Sequence, residues 1–513
     1  MNSYVALQAR NAWSNLLSLA GSHVVLAILS ITSIAATVRG LGSDGYGRAS
    51  LALSLAALLL SFGFNWSDAA VTRFGSVNLA ENRPTGPVFW SRLALAGGWS
   101  ILGFLILGSL WPLVWPFAGV APNSLLVVLA LALTFGLYAH LAAVLQALAR
   151  LRTLSWARLL ERSSYLLGLG GMLALGHGLT VDSVLWMTVA ARAAAVLVSA
   201  TQIPLRVWRP LRVERSMLAA MLKYSLPTII AFASGYTFDW VDIYVLRWRL
   251  GFADVGMYQA GYQAMSFAAA LLVPLTTIAF PALVGLRSAG RTDLSRQFAQ
   301  RLVPFIVLGW SWLMAAAIVV SPWLVPQVLG VKPGSTDMVV RFLLVGTAFQ
   351  CVTSLYTAIT ASYDQLPRVA VANVVMTAAN IVLDLVLVRY LGLVGPAIGT
   401  ALSYALGAWL YYRIGQRVLG RTNALVFLAV SPALVAVWLS LLLPAWWMAA
   451  PVLVAVAALA CGLVRWFGAL TLDDLDLMGR LGLPTQIRAI LSRTFVTTPA
   501  FGPNALGPYP FDA

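Results

Sequence analysis

Apolar runs of about twenty residues alternate with short polar connections from one end of this chain to the other. A bilayer core about 30 Å thick is crossed by roughly 20 apolar helical residues, so each run predicts a membrane-spanning helix, and helices, not a barrel, carry the fold. The runs fall at 13–38, 47–66, 88–111, 124–147, 163–179 and 181–204 in the first half. The second half gives 224–248, 255–283, 303–328, 339–362, 369–388, 393–412, 424–443 and 449–466. The predicted fold class is therefore an all-α polytopic membrane protein with about fourteen spans.

A repeat divides the pattern. Arg39-Gly-Leu-Gly-Ser-Asp-Gly-Tyr-Gly after the first span returns as Arg249-Leu-Gly-Phe-Ala-Asp-Val-Gly-Met-Tyr after the seventh. This predicts two pseudo-symmetric six-helix lobes, 1–204 and 223–415, joined by a basic linker, 205–222; spans at 416–466 and a cytoplasmic tail at 467–513 are appended. Transporters built from such repeats bind substrate between the halves near the midplane. In the linker, Arg206, Arg209, Arg212 and Arg215 recur at every third residue among Val, Trp and Leu. That spacing suits an amphipathic segment on the inner leaflet or an ordinary basic loop.

Lys and Arg mark the side that is not translocated. With the N-terminus inside, 24 of them lie on the cytoplasmic side, including Arg150, Arg152, Arg158 and Arg162, and seven outside, including Arg39, Arg48, Arg247 and Arg249. Both termini are expected in the cytoplasm. Arg92 and Arg192 fall within helices.

Composition excludes a soluble globule: 60% of residues are hydrophobic, 10% are charged and the mean hydropathy is +0.85, too few charges for an aqueous surface. The net charge of +16 is spread over loops on one membrane face, so it argues for topology and contact with anionic lipids, not for nucleic acid. Cys351 and Cys461 both lie in predicted helices, which argues against a disulfide framework. The first run is too long for a signal-peptide core and is expected to be an uncleaved anchor. Neither Lys223 nor Lys332 stands in a Gly-Lys-Ser/Thr context, and His23, His140 and His177 form no zinc motif. No cofactor, metal or catalytic domain is expected, and the chain is read as a non-enzyme.

Polar residues inside a membrane need a reason. In the seventh span Tyr236, Asp239, Asp242, Leu246 and Arg249 share a helical face by spacing. Asp239 and Asp242 stand one turn apart, which suits a proton carrier or, alternatively, an ion pair with an Arg from another helix. The eighth span opens with Tyr258, Gln259, Tyr262, Gln263 and Ser266; the second carries Ser50, Ser54, Ser61, Asn65 and Asp68; the first carries Asn11, Asn15, Ser18 and Ser22. Most of these serines also suit helix packing, whereas Tyr258, Tyr262 and Gln263 suit sugar rings. Arg48, Arg73, Arg92, Arg192, Arg247 and Arg249 are cationic candidates whose forks match phosphate oxygens. For Arg192 a structural partner such as Glu161 is an equally physical role; Arg73 and Arg92 also suit interface snorkelling, and His140 a hydrogen-bonded core position.

The segment 380–400, NIVLDLVLVRYLGLVGPAIGT, together with Asp242-Ile-Tyr-Val-Leu-Arg-Trp-Arg-Leu-Gly and Val255-Gly-Met-Tyr258, resembles the polysaccharide (Wzx-type) flippases of the multidrug/oligosaccharidyl-lipid/polysaccharide exporter superfamily. The resemblance implies alternating access without ATP hydrolysis, with the first, second, seventh and eighth spans facing a cavity and Asp242 at the family's acidic position. The implied substrate is a polyprenyl-diphosphate-linked oligosaccharide for O-antigen, capsule or exopolysaccharide. The implied location is the bacterial inner membrane, beside the polymerase and export machinery. Two alternatives stay open. A multidrug cation antiporter of the same superfamily usually has twelve helices and, in many members, an acid in the first, where 13–38 has none. A membrane polymerase or ligase would be expected to have a sizeable outer loop with catalytic residues, whereas 111–123 carries no charge.

Overall fold

The computed structural model describes residues 2–148, 150–226, 228–330, 334–422, 424–442, 447–448, 450–455 and 457–458, with 489 and 492; side chains are described from Val25 onward, apart from 151, 274, 278 and 335. The fourteenth span beyond 458, the tail and Cys461 lie outside the described residues except at these isolated positions, and so do the side chains of Asn11, Asn15, Ser18, Ser22 and His23.

Among the described residues every regular element is helical, and ten stretches are long and apolar enough to cross a membrane. The chain is an all-α polytopic membrane protein. In the first half the helices are α1 (Asn2–Gly63), α2 (Asp68–Ala80), α3 (Gly86–Ala118), α4 (Leu125–Ala147), α5 (Leu151–Ala174), α6 (Val181–Thr201) and the short α7 (Arg215–Ser225). The second half contains α8 (Thr228–Arg249), α9 (Phe252–Ala270), α10 (Val273–Ser288), α11 (Thr292–Gln297), α12 (Val303–Leu329), α13 (Ser335–Ser362), α14 (Leu366–Leu391), α15 (Val394–Leu419), α16 (Leu425–Leu428) and α17 (Ser431–Leu442).

The predicted first and second spans are two limbs of α1, bent at Gly42, whose backbone (φ 71, ψ 171) is open to glycine at little cost. Helix ends follow local chemistry. Gly119 and Gly330 close α3 and α12 in left-handed conformation. At the start of α6 the Thr180 hydroxyl accepts from the Ser183 N–H at 3.2 Å, and the Ser183 hydroxyl accepts from the Thr180 N–H at 3.0 Å.

Several sequence-based boundaries are corrected. The second span continues past residue 66 through a short 3-10 turn into α2, so Arg73 lies within a helix. The helix at the predicted fifth span, 163–179, is α5, which starts twelve residues earlier, at Leu151, and is not among the ten stretches apolar enough to cross a membrane. Arg158 and Arg162, assigned to the cytoplasmic side, are therefore inside it, exposed, with Glu161 buried between them in sequence; hydropathy dates a helix from where its charges stop, whereas this helix starts before them. The eighth span is broken at Leu271–Leu272 into α9 and α10. Part of the linker is helical, as α7.

In the first half α6 packs on α4 and α5, and α1 packs on α3, α4 and α5. In the second half α13 lies between α12 and α15, α14 packs on α15 and α8, and α17 covers α12. One apolar core belongs to each half, around Val71, Phe89 and Val144 and around Val307, Cys351 and Tyr356. A third joins them through Leu51, Val128, Leu246, Tyr258 and Val339. The two repeated loops meet each other, because the second limb of α1 packs along α9.

Candidate functional site

The densest polar centre lies between α8, α9, α14 and α15. Asp242 on α8 is 1% exposed, and Asn380, Asp384 and Thr400 are each 0% exposed. Asp242 Oδ2 accepts from the Tyr258 hydroxyl and, at 2.8 Å, from the Thr400 hydroxyl. Asn380 Nδ2 donates to Asp384 Oδ1 at 3.3 Å and to Thr400 Oγ1 at 3.4 Å. The two carboxyls stand at hydrogen-bonding range of each other. Asp242 Oδ1, Asp384 Oδ2 and Asn380 Oδ1 have no N–H or O–H donor. A shared proton would satisfy the two carboxylate oxygens, and a small cation would suit all three, since hard cations take oxygen ligands.

Local sequence explains how the centre forms. Asn380 and Asp384 are four residues apart and share a face of α14. That face meets α15 closely because Gly399 has no side chain: a Cβ there would stand 2.5 Å from Asp384 Oδ1. Gly395 permits the same approach one turn earlier, where a Cβ would meet the Leu387 backbone at 2.5 Å.

Next to this centre is a cavity of about 190 Å³ lined by Ser234, Phe238, Asp239, Asn373, Thr377 and Tyr404, among others. The Tyr262 hydroxyl donates to Asp239 Oδ1 at 3.0 Å, and Tyr262 stacks on Tyr258 with centroids 6.3 Å apart. Asp239, Asp242, Tyr258 and Tyr262 are thus brought together. Asn380, Asp384 and Thr400 complete the group; they lie in the segment that carried the family resemblance, but the sequence does not pair them with Asp242. Gln263 is half-buried on the same helix.

The other candidates go elsewhere. Tyr236 is not part of the acid face: its hydroxyl donates to the Ser54 carbonyl at 3.0 Å and lies 2.8 Å from the Tyr244 hydroxyl, which in turn lies 2.8 Å from Ser54 Oγ. These contacts link α8 to the second limb of α1. Arg249 lies over the Trp248 ring at 3.9 Å. Arg48 donates to Asp44 at 2.7 Å and to the Gly119 carbonyl at 3.1 Å, and its guanidinium lies 4.4 Å from the Phe252 ring centroid. Arg247 covers the same ring at 3.8 Å. Phe252 is therefore held between the halves by two cations.

Arg73 stacks on Tyr224 at 4.6 Å. Arg92 is not a snorkelling residue. It is fully buried and ion-paired with Asp68, and it donates to Ser67 Oγ at 3.2 Å and the Phe64 carbonyl at 3.2 Å, with Nη1 2.8 Å from His140 Nδ1. His140 is the hydrogen-bonded core residue its position suggested. Arg192 Nη2 and Glu161 Oε1 are 2.8 Å apart, the structural partnership expected of them.

These features define a multi-pass membrane protein with transporter architecture, and comparison with known proteins gives the same class. The chain resembles the lipid II flippase MurJ in its inward closed conformation (TM-score 0.57, 13% identity, 91% of this chain and 98% of that one). It likewise resembles an inward-facing multidrug resistance MATE family transporter of the MOP superfamily (TM-score 0.57, 14% identity, 78% and 98%) and the Vibrio cholerae MATE transporter VcmN (TM-score 0.56, 14% identity, 80% and 98%). At such identities the likeness is one of fold.

The chain belongs to the family described as "Polysaccharide biosynthesis protein", which it matches over residues 12–286. A curated relative, the "Probable low-salt glycan biosynthesis flippase Agl15" of Haloferax volcanii, is 22% identical over 247 residues. That match covers 47% of this chain and about half, 51%, of the relative's length.

Proposed function

We propose that this protein moves a polyprenyl-diphosphate-linked oligosaccharide across the bacterial inner membrane for assembly of O-antigen, capsule or exopolysaccharide. One observation carries the reading: a chain of the polysaccharide biosynthesis family places a fully buried oxygen cluster, Asp242, Asp384, Asn380, Thr400 and Tyr258, where four helices of one half converge. Buried acids in a membrane protein mark ion pathways, and this cluster suits a proton or a small hard cation as the coupling species. Binding or release of one charge among groups that fasten α8 to α14 and α15 changes the packing of that half. Rocking of the halves about the junction between α1 and α9 converts this into alternating exposure of the substrate. Because an ion supplies the drive, neither a nucleotide site nor chemistry on the substrate is needed.

The antiporter alternative lacks its usual acid in the first span: the first Asp or Glu of the chain is Asp44. Deletion of the gene tests the choice. Loss of surface polysaccharide with unchanged drug tolerance fits the flippase; unchanged polysaccharide with drug hypersensitivity fits the antiporter.

A further inference from the structure

The linker between the halves is pinned to the first half and still turns apolar side chains outward. Val207 is buried, and the Thr85 hydroxyl donates to its carbonyl at 2.7 Å. The Trp90 indole N–H donates to the Trp208 carbonyl at 2.9 Å, and the Glu214 N–H donates to the Ser91 hydroxyl at 3.0 Å. Gly86 lets the segment lie against the start of α3: a Cβ there would stand 2.5 Å from the Pro210 carbonyl oxygen and 2.6 Å from the Arg209 carbonyl carbon. Between these anchors Leu211 is 71% exposed and Val213 is 49% exposed, and Leu205, just before them, is 78% exposed. Leucines held in this way are unfavourable against water and favourable against an apolar cover. An ordinary solvated loop has use for neither the anchors nor the leucines.

A recess of about 640 Å³ opens beside Leu211, lined also by Asn82, Arg83, Pro84, Arg209 and Pro210. Its walls are the turn between α2 and α3 and the linker. That turn joins a membrane-crossing stretch ending at Ala80 to one starting at Gly86, and the linker follows one ending at Thr201. Connectivity alone therefore puts the recess at a membrane face, which the sequence-based orientation makes the cytoplasmic one. Charge around it is one-sided. Arg83 lies 3.0 Å from Glu81, and Arg212 donates to Glu214 at 2.8 Å. Arg206, Arg209 and Arg215 have no ion partner among the described residues.

We infer that this recess holds the headgroup of an anionic phospholipid of the surrounding bilayer, with Arg83 and Arg209 on its phosphate and Leu211 against its acyl chains. Two independent features select that ligand: arginine forks that match phosphate oxygens and fixed, exposed leucines that a lipid covers. A free phosphate meets the arginines and leaves the leucines in water. A zwitterionic lipid covers the leucines and brings no net charge to the unpaired arginines. The bound lipid bridges the α2–α3 turn to the linker. The linker continues into α7, which packs on α2 and α3 and places Tyr224 under Arg73, so the lipid fastens the passage between the halves to the first half. The site does not depend on what the protein transports.

Binding of phosphatidylglycerol to the purified full-length protein, measured by native mass spectrometry beside phosphatidylcholine, tests the site. Wild type should prefer the anionic lipid. The Arg83→Gln/Arg209→Gln double variant should bind phosphatidylglycerol about tenfold more weakly, as expected when two arginines beside an anionic headgroup lose their charge. Arg413→Gln/Arg417→Gln, which removes the same charge from exposed positions of α15, should bind like wild type. Leu211→Gln, which alters no charge, should also weaken binding. If the first double variant does not fold, Arg209→Gln alone, at an exposed and unpaired position, replaces it and should show an intermediate loss. Equal binding by wild type and the Arg83/Arg209 variant overturns the site. Equal loss in both double variants assigns the binding to net charge and overturns it too, as does equal binding of the two lipids by wild type.

Discussion

Gly47 on the second limb of α1 and Gly256 on α9 bring the two repeated loops together backbone to backbone. A Cβ on Gly47 would stand 2.0 Å from the Phe252 carbonyl oxygen, and one on Gly256 would stand 1.9 Å from that of Ser43. The halves close here only because both positions lack a side chain. Gly256→Leu should therefore hold them apart. Overpacking of this kind costs about 1–3 kcal/mol, so the protein should still reach the membrane while transport is lost, and a cysteine at Ser43 should label faster with an impermeant thiol reagent than in the wild-type background. Unchanged labelling and transport would show that the junction does not open and close.

The buried acids provide a second test. Asp242→Asn and Asp384→Asn keep the size of each side chain but remove the charge that a proton or cation would meet. Each should reduce polysaccharide export by about tenfold or more, equivalent to roughly 1.4 kcal/mol, at normal protein level; Asp239→Asn, in the adjacent cavity, should be milder. Normal export by both buried-acid variants would remove the coupling role. Absence of the variant proteins from the membrane would make the cluster a structural element.

Arg92 and Arg48 separate buried from exposed ion pairs. Arg92→Met leaves the buried His140 and Ser67 without their partner, while the Asp68 side chain, 37% exposed, keeps access to solvent, and it should destabilise the protein by about 1–3 kcal/mol. Arg48→Met removes a pair in which both side chains are more than a third exposed and should cost no more than about 1 kcal/mol. Thermal unfolding of the detergent-purified proteins distinguishes them, and equal shifts would contradict the burial argument.

The sequence-based orientation predicts that cysteines at Ser43 and His177 react with an impermeant thiol reagent in whole cells, while one at Ser288 reacts only after the membrane is opened. Labelling of Ser288 but not Ser43 inverts the topology.

What was legible in the sequence follows from what hydropathy measures. Helices such as α3 and α12 stand out because they are apolar on most sides, with mean window hydropathy of 1.9 and 2.2. α5 was placed twelve residues late because Arg152, Arg158, Glu161 and Arg162 in its first half lower the local average. Asp242 was visible as an acid in an apolar helix, and Arg192 with Glu161 as neighbours in depth. The pairing of Asp242 with Asp384 was not, because α8 and α14 are brought together by Gly395, Gly399 and the packing of α15, which no local pattern reports. Arg92 was misread for the same reason: its partners Ser67, Asp68 and His140 come from other helices.

The central claim concerns which membrane face holds the substrate when the protein is missing. In cells lacking the gene, lectin accessibility of the lipid-linked repeat unit, measured on right-side-out and inverted inner-membrane vesicles, reads this directly. The flippase account predicts accumulation accessible in inverted vesicles only, on the cytoplasmic face. Accumulation on the outer face would place the block after transfer and contradict it, making a polymerase or ligase the better description.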